Sequence, residues 1–289
     1  MPFRILLAAD GSSIARNAAR FLVERFALPD ERCQLDVINV HYAVPPRAAS
    51  ALGRDIVSSY YRDESQQALE AVRRMLDQRG IKYNAVMKVG MPAARIVDHA
   101  EQCEADLIVM GSHGKGAAKS LLLGSVAQGV LAGCSIPVLL VRESRVPPIA
   151  GPILMAVDGS AFTKKAIAWL LRHRALVVGE REIVLIHVAA DENGFPLGLR
   201  KGMTRGIQEA EFEQAMAPAR RQFERAGVKW REIFACGAPG PCIAEEAKRV
   251  GSGLIVMGSH GRGEMTSLLL GSVTQRTLGL SSVPILVVR

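Results

Sequence analysis

The chain carries the same text twice, and that repeat limits what it can fold into more than any other feature. LIVMGSHG stands at Leu107 to Gly114 and again at Leu254 to Gly261, and SLLLGSV stands at Ser120 to Val126 and at Ser267 to Val273. In both copies Gly-Ser-His-Gly is followed by nine residues and then by Gly-Ser, at Gly124-Ser125 and at Gly271-Ser272. Asp10-Gly11-Ser12 returns as Asp158-Gly159-Ser160, each time after an apolar run. A chain of 289 residues with this internal period is two copies of one unit, and 49% apolar composition supplies each copy with a core. The stretch from Glu143 to Pro152, with Pro147-Pro148 and Gly151-Pro152, reads as the linker, so the domains are expected to span 1–146 and 147–289.

Each unit alternates strands with helices. In the first, Phe3 to Ala9 is an apolar run, and apolar residues then recur at helical spacing from Ala15 to Phe26. Leu35 to Val40 is a second strand, followed by a loop with Pro45-Pro46. A long helix is expected from about Asp55 to Gly80, with Ile56, Tyr60, Leu69, Val72 and Leu76 inward. Tyr83 to Val89, Leu107 to Met110 and Val138 to Val141 complete five strands, with Pro92 opening one helix and Val126 to Leu131 forming another. The second copy restarts at Ile153 to Val157 and repeats strand two at Ile183 to Val188. It differs in a loop from Asp191 to Gly206 and in Pro218, which predicts a kink or break in its long helix.

This alternation means an α/β fold, two Rossmann-like domains each with a five-stranded, mostly parallel sheet of order 3-2-1-4-5. Right-handed crossovers then bring Asp10 and Gly111 together at the carboxyl-end crevice, where open sheets bind ligands. Val138 to Val141 and Ile285 to Val288 would be apolar edges that invite pairing, and pairing of the two copies into an internal pseudo-dimer would cover both.

The glycine stretch sets up an anion site. Glycines let backbone approach a ligand closely, and the first N–H groups of a helix point at a negative group. Ser125 and Ser272 stand where an N-cap would, each with a hydroxyl to offer. The plainer alternative is that the glycines only make turns and the serines only cap. Asp10 and Asp158 at the end of strand one can bond a ribose or adenine group or hold a divalent ion; Asp-Gly-Ser is equally good capping text for the first helix. His113 and His260 lack a paired nucleophile or further ligands, so a loop-stabilising role fits them. Lys115 and Arg262 can neutralise phosphate or remain solvated loop charge. Residues 115–123 carry Lys115 and Lys119 without an acid, whereas in 262–270 Arg262 is balanced by Glu264, which predicts tighter triphosphate binding in the first unit.

The pattern G-2x-G-9x-G-(S/T) after an apolar strand, with an Asp closing the first strand of the same unit, resembles the ATP-binding branch of the universal stress proteins. The resemblance spans the chain as two tandem copies. It implies the fold of the adenine nucleotide alpha hydrolase-like group, an ATP (or ADP or AMP) ligand, and magnesium held through its phosphates, with Asp10 and Asp158 as candidate contributors. It implies a nucleotide site made of Asp10, Val40, Gly111, His113, Gly114, Lys115, Gly124, Ser125 and Val126. The second copy matches with Asp158, Val188, Gly258, His260, Gly261, Arg262, Gly271, Ser272 and Val273. The backbone at Val40 and Val188 would meet the adenine, although their side chains alone read as core. The implied role is a cytoplasmic regulator or sensor of stress with an unidentified protein partner, with a further homodimer of the chain left open.

Other chemistry is poorly represented. GKGAAK and GRGEMT lack the third glycine of the dinucleotide fingerprint, and no G-x-x-x-x-G-K-[ST], G-x-S-x-G or HExxH occurs, so no catalytic residue is assigned and any hydrolysis is expected to be slow. A slow ATPase or nucleotide-dependent transferase, and a dimerising scaffold without ligand, are the competing readings. Five cysteines form no CxxC pair, which suits reduced, buried thiols. A net charge of +8 is weak evidence for nucleic acid, because only 5% of residues are aromatic and the basic pairs Arg73-Arg74 and Arg220-Arg221 sit on solvated helical stretches. FRILLAAD enters a strand at once, with no signal peptide, so no export is expected. Ser120 to Val141 has no charge, but its repeat contains Arg276 and both contain glycine and proline, which argues against a membrane span.

Overall fold

The computed structural model of the protein describes residues 2–26, 28, 31–114, 123–142, 151–189, 201–261 and 270–289, with the side chains of 201–204 excepted. The chain divides into two compact units, Met1–Val146 and Pro147–Arg289. The linker residues 143–150 lie outside the described residues.

In unit 1 the strands are β1 (Phe3–Ala8), β2 (Cys33–His41), β3 (Asn84–Val89), β4 (Leu107–Gly111) and β5 (Val138–Val141). They pair in parallel in the order β3-β2-β1-β4-β5. Strands covered on both faces have no reason to alternate, and β1 and β4 accordingly read as near-continuous apolar runs. Leu6, Leu7, Leu107, Ile108 and Val109 are fully buried. Unit 2 repeats the plan with β6 (Ile153–Ala156), β7 (Ile183–Ala189), β8 (Trp230–Cys236), β9 (Leu254–Gly258) and β10 (Ile285–Val288), ordered β8-β7-β6-β9-β10 and parallel throughout.

The helices of unit 1 are α1 (Ser13–Arg25), α2 (Pro46–Leu52), α3 (Arg54–Gln78), α4 (Pro92–Gln102) and α5 (Ser125–Gly133). Two expectations are corrected here. Pro46 does not sit in a loop but opens α2, where its missing N–H is no loss, and Gly53 at φ +83° separates α2 from α3. Ile56 and Tyr60 are 59% and 50% exposed rather than inward. At about 100° per residue they stand thirteen and nine positions before Leu69, well out of phase with it. The buried stripe runs instead through Tyr61, Ser65, Ala68, Leu69, Val72 and Leu76.

Unit 2 carries α6 (Ala161–Arg172), the single turn α7 (Arg174–Val177), α8 (Lys201–Ala226), α9 (Pro239–Arg249) and α10 (Ser272–Leu280). The expected break at Pro218 is absent, and α8 runs through it. Proline removes one backbone hydrogen bond, but Ala215, Met216, Ala219 and Phe223 on either side are buried and keep both halves packed as helix. Residues 201–206, expected as loop, form the first turns of α8, while 190–200 lie outside the described residues.

Arg220 of α8 is less solvated than its sequence context suggests. Its guanidinium forks onto Glu232 of β8 (Nε to Oε1 2.6 Å, Nη2 to Oε2 2.8 Å) and also pairs with Glu213. These two carboxylates raise its pKa above the usual arginine range. No cysteine is in a disulfide, but only Cys134 is buried and Cys236 is exposed, which corrects the expectation of buried thiols. Among the described residues no helix is long and apolar enough to cross a membrane.

Candidate functional site

The carboxyl end of β1 in unit 1 opens onto a cavity of about 580 Å³, within the roughly 300–1,000 Å³ range of ligand pockets. Its floor is built by the glycine stretch and by Asp10. Gly111 ends β4, and a Cβ there would lie 2.8 Å from Ile14 of α1. A Cβ on Gly114 would lie 2.7 Å from Asp10 Oδ2, so only glycine lets the loop descend onto the carboxylate. Gly124 closes the loop by donating its N–H to Ser112 O at 2.9 Å, and a Cβ there would meet that same carbonyl at 3.1 Å. None of these three needs a positive φ; close approach of backbone is what each one supplies.

The capping assignments shift by one residue. Gly124 and Gly271, in extended conformation, are the N-caps of α5 and α10, and Ser125 and Ser272 are already the first helical residues with no side-chain cap bond. The serine hydroxyls therefore do not cap their helices. The N–H groups of Ser125, Val126 and Ala127 have no acceptor within α5, which is the arrangement that receives an anion. At the start of α1 the cap is Ser12, whose Oγ accepts from Ala15 N at 3.1 Å. Asp10 is not the cap; its Oδ1 accepts from Ser12 N at 2.9 Å while Oδ2 faces Gly114. His113 lines the cavity with its Nδ1 3.0 Å from Ser112 Oγ.

Unit 2 has the same frame and a different interior. Ser160 caps α6, Asp158 Oδ1 accepts from Ser160 N at 2.9 Å, and Gly271 N donates to Ser259 O at 2.9 Å. Thr163, which stands where unit 1 has Ala15, donates its hydroxyl to Asp158 Oδ1 at 2.5 Å. Thr274, in place of Ala127, bonds Gly258 O at 3.0 Å. Phe162, in place of Ile14, lies 5.1 Å from the His260 ring, and a Cβ on Gly258 would meet it at 2.7 Å. The larger side chains leave a cavity of about 120 Å³, below the range of ligand pockets.

The structure gathers Asp10, Val40, Gly111, His113, Gly114, Gly124, Ser125 and Val126 around one cavity. In unit 2 it gathers Asp158, Val188, Gly258, His260, Gly261 and Val273, whereas Gly271 and Ser272 do not line the cavity. Lys115, Lys119, Arg262 and Glu264 lie outside the described residues.

Sequence reasoning passed over the residue before each strand-two valine. Asn39 is buried and donates its Nδ2 to Ala9 O at 2.7 Å, leaving its buried Oδ1 without a partner among the described residues. His187 places Nδ1 2.7 Å from Val157 O, so Nδ1 carries the proton and the buried Nε2 is a second unpartnered acceptor. Both residues line their cavities. A polar residue inside an apolar strand was the available signal. Tyr60 and Glu64 of α3 also line the first cavity, reached through tertiary packing alone.

Residues 1–142 and 150–289 match the universal stress protein family. The chain is 30% identical over 243 residues to the universal stress protein Rv2005c of Mycobacterium tuberculosis, covering 82% of this chain and 77% of that protein. It is 28% identical over 303 residues to a universal stress protein of Mycolicibacterium smegmatis, covering 99% and 97%. The crystal structure of a universal stress protein from Archaeoglobus fulgidus shares the fold with a TM-score of 0.69 at 21% identity, covering 99% of this chain and 98% of that one. The chain therefore belongs to the universal stress protein family, as two tandem copies of its domain.

Proposed function

We propose that the protein binds an adenine nucleotide with magnesium in the crevice of unit 1 and works as a nucleotide-dependent regulator or sensor in a stress response. The observation that carries this reading is Asp10 seated against Gly114 at the mouth of a 580 Å³ cavity, beside the unfilled N–H groups of the first turn of α5. The N–H groups of Ser125, Val126 and Ala127 suit phosphate oxygens. Asp10 suits a ribose hydroxyl or a cation bridging phosphates. The unpartnered Asn39 Oδ1 suits an amino donor such as that of adenine, because a buried acceptor left unmet costs about 1–3 kcal/mol. Magnesium, when bound, would neutralise phosphate charge. The described residues offer carboxylates but no P-loop lysine, which fits holding a nucleotide more than turning it over.

The two crevices are proposed to differ. Thr163 engages one oxygen of the Asp158 carboxylate and Thr274 bonds Gly258 O, so the second site is smaller and its carboxylate is partly taken up before a ligand arrives, although His187 Nε2 stays unpartnered among the described residues. The protein as purified is expected to release about one adenine nucleotide per chain on denaturation, retained in Gly271→Val and lost in Gly124→Val. Two per chain would reject the difference between crevices. None, together with no binding of added ATP and magnesium, would reject the nucleotide reading and favour a scaffold. Thr163→Ala, which releases Asp158 from its hydroxyl partner, is expected to raise occupancy of the second site, read as an increase in nucleotide per chain at saturating ATP.

A further inference from the structure

Unit 1 contains a second cluster of reactive side chains that the nucleotide crevice does not use. His99 and Cys103 stand four residues apart at the C-terminal end of α4 and so share a face of the helix. That face packs on β2, where His99 Nε2 lies 2.8 Å from Asp36 Oδ2. The His nitrogen, the Cys sulfur and a carboxylate oxygen of Asp36 all lie within 4.8 Å of one another. Pro92 and Ile96, near the other end of α4, line the nucleotide crevice, so the two sites are separated along one helix.

We propose that Asp36, His99 and Cys103 form a binding site for a zinc-class divalent cation. An ion pair between helix and strand would account for Asp36 and His99, but it leaves the sulfur at the same point unexplained. One thiolate, one imidazole and one carboxylate are the mixed, borderline-soft set that zinc takes, and three protein ligands leave a fourth tetrahedral position for water. With metal–ligand distances near 2.0–2.3 Å, tetrahedral ligand atoms stand about 3.3–3.7 Å apart, so the His99–Asp36 pair has to open by roughly half an ångström. Both side chains are partly exposed, at 12% and 22%, which gives the ion an entrance.

Binding is a simple exchange with no redox step: the cation enters, the Cys103 thiol proton leaves to water, and the sulfur becomes a thiolate ligand. Burial and the charge of Asp36 push the Cys103 thiol up from its ordinary value. Arg4, whose guanidinium bonds Cys103 O at 3.1 Å and Glu104, is the cation beside the site and does not reach the ligand atoms. The site belongs to one copy only. The positions that match Asp36, His99 and Cys103 in unit 2 are Val184, Glu246 and Val250, which cannot reproduce the set. One ion per chain is therefore expected.

Cobalt(II) titration of the full-length, reduced chain tests this directly. A thiolate-to-cobalt charge-transfer band saturating at one ion per chain is expected. It should disappear in Cys103→Ser and persist in Cys242→Ser, the latter probing the rival pair Cys236 and Cys242. His99→Gln should weaken binding by at least the roughly 10- to 100-fold that altering an outer-shell partner costs. In the wild-type chain zinc should also slow alkylation of Cys103 while leaving Cys236 unprotected, a readout that needs no variant to fold. Absence of the band, its survival in Cys103→Ser, its loss in Cys242→Ser, or equal alkylation with and without zinc would each overturn the proposal.

Discussion

Gly124→Val is expected to lower the affinity of unit 1 for ATP by about 100-fold or more, equivalent to about 2.7 kcal/mol of binding. The added Cβ would stand 3.1 Å from Ser112 O and 3.3 Å from His113 Cα, and both are backbone atoms with no rotamer to yield. The loop has to open, and the Gly124 N–H bond to Ser112 O is lost with it. The start of α5, whose first-turn N–H groups are the proposed phosphate contacts, shifts with the loop. Gly114→Val should act by a different route, forcing a Cβ to within 2.7 Å of Asp10 Oδ2, and should reach a similar loss. Calorimetric titration with ATP and magnesium measures both. Gly271→Val serves as the internal control, and undiminished affinity in Gly124→Val would refute the role assigned to this loop.

The second large effect is on stability. Phe223→Ala should lower the unfolding free energy by about 3–5 kcal/mol, the range for truncating a buried aromatic. Its ring is fully buried, five residues beyond Pro218, and with Met216 and Ala219 it anchors the part of α8 where one backbone bond is missing. Pro218→Ala should change stability in the opposite direction, because it restores the N–H facing Gln214 O; a helix-interior proline costs up to about 3 kcal/mol. Urea unfolding of the two variants beside the wild type separates them. If Phe223→Ala fell by less than about 1 kcal/mol, packing would not explain the continuity of α8.

The errors in reading the sequence share one cause. Ile56 and Tyr60 are apolar and helical, as read, but helical phase relative to Leu69 puts them on the outer side, and a count of apolar residues does not carry phase. Ser125 and Ser272 are the residue type that caps helices, yet the glycine before each takes the cap because the loop must turn back onto Ser112 O and Ser259 O there. Pro218 carries a local penalty that buried neighbours outweigh. Each reading stopped at the propensity of the residue itself and left out its phase or its contacts.

The periodic part of the protein is legible along the chain. The duplicated text, the apolar runs of strands one, two, four and five in each copy and the spacing from Gly111 to Gly124 depend on neighbours in sequence. How the two copies differ depends instead on packing. Ala15 and Thr163 look like ordinary helical residues, but Ala15 has no hydroxyl to offer, whereas Thr163 bonds Asp158 at 2.5 Å. Asp36, His99 and Cys103 lie up to 67 positions apart in the chain (103 − 36) and meet only because α4 packs on β2. Packing brings together side chains whose chemistry depends on distance in space, and distance in space is not written in spacing along the chain.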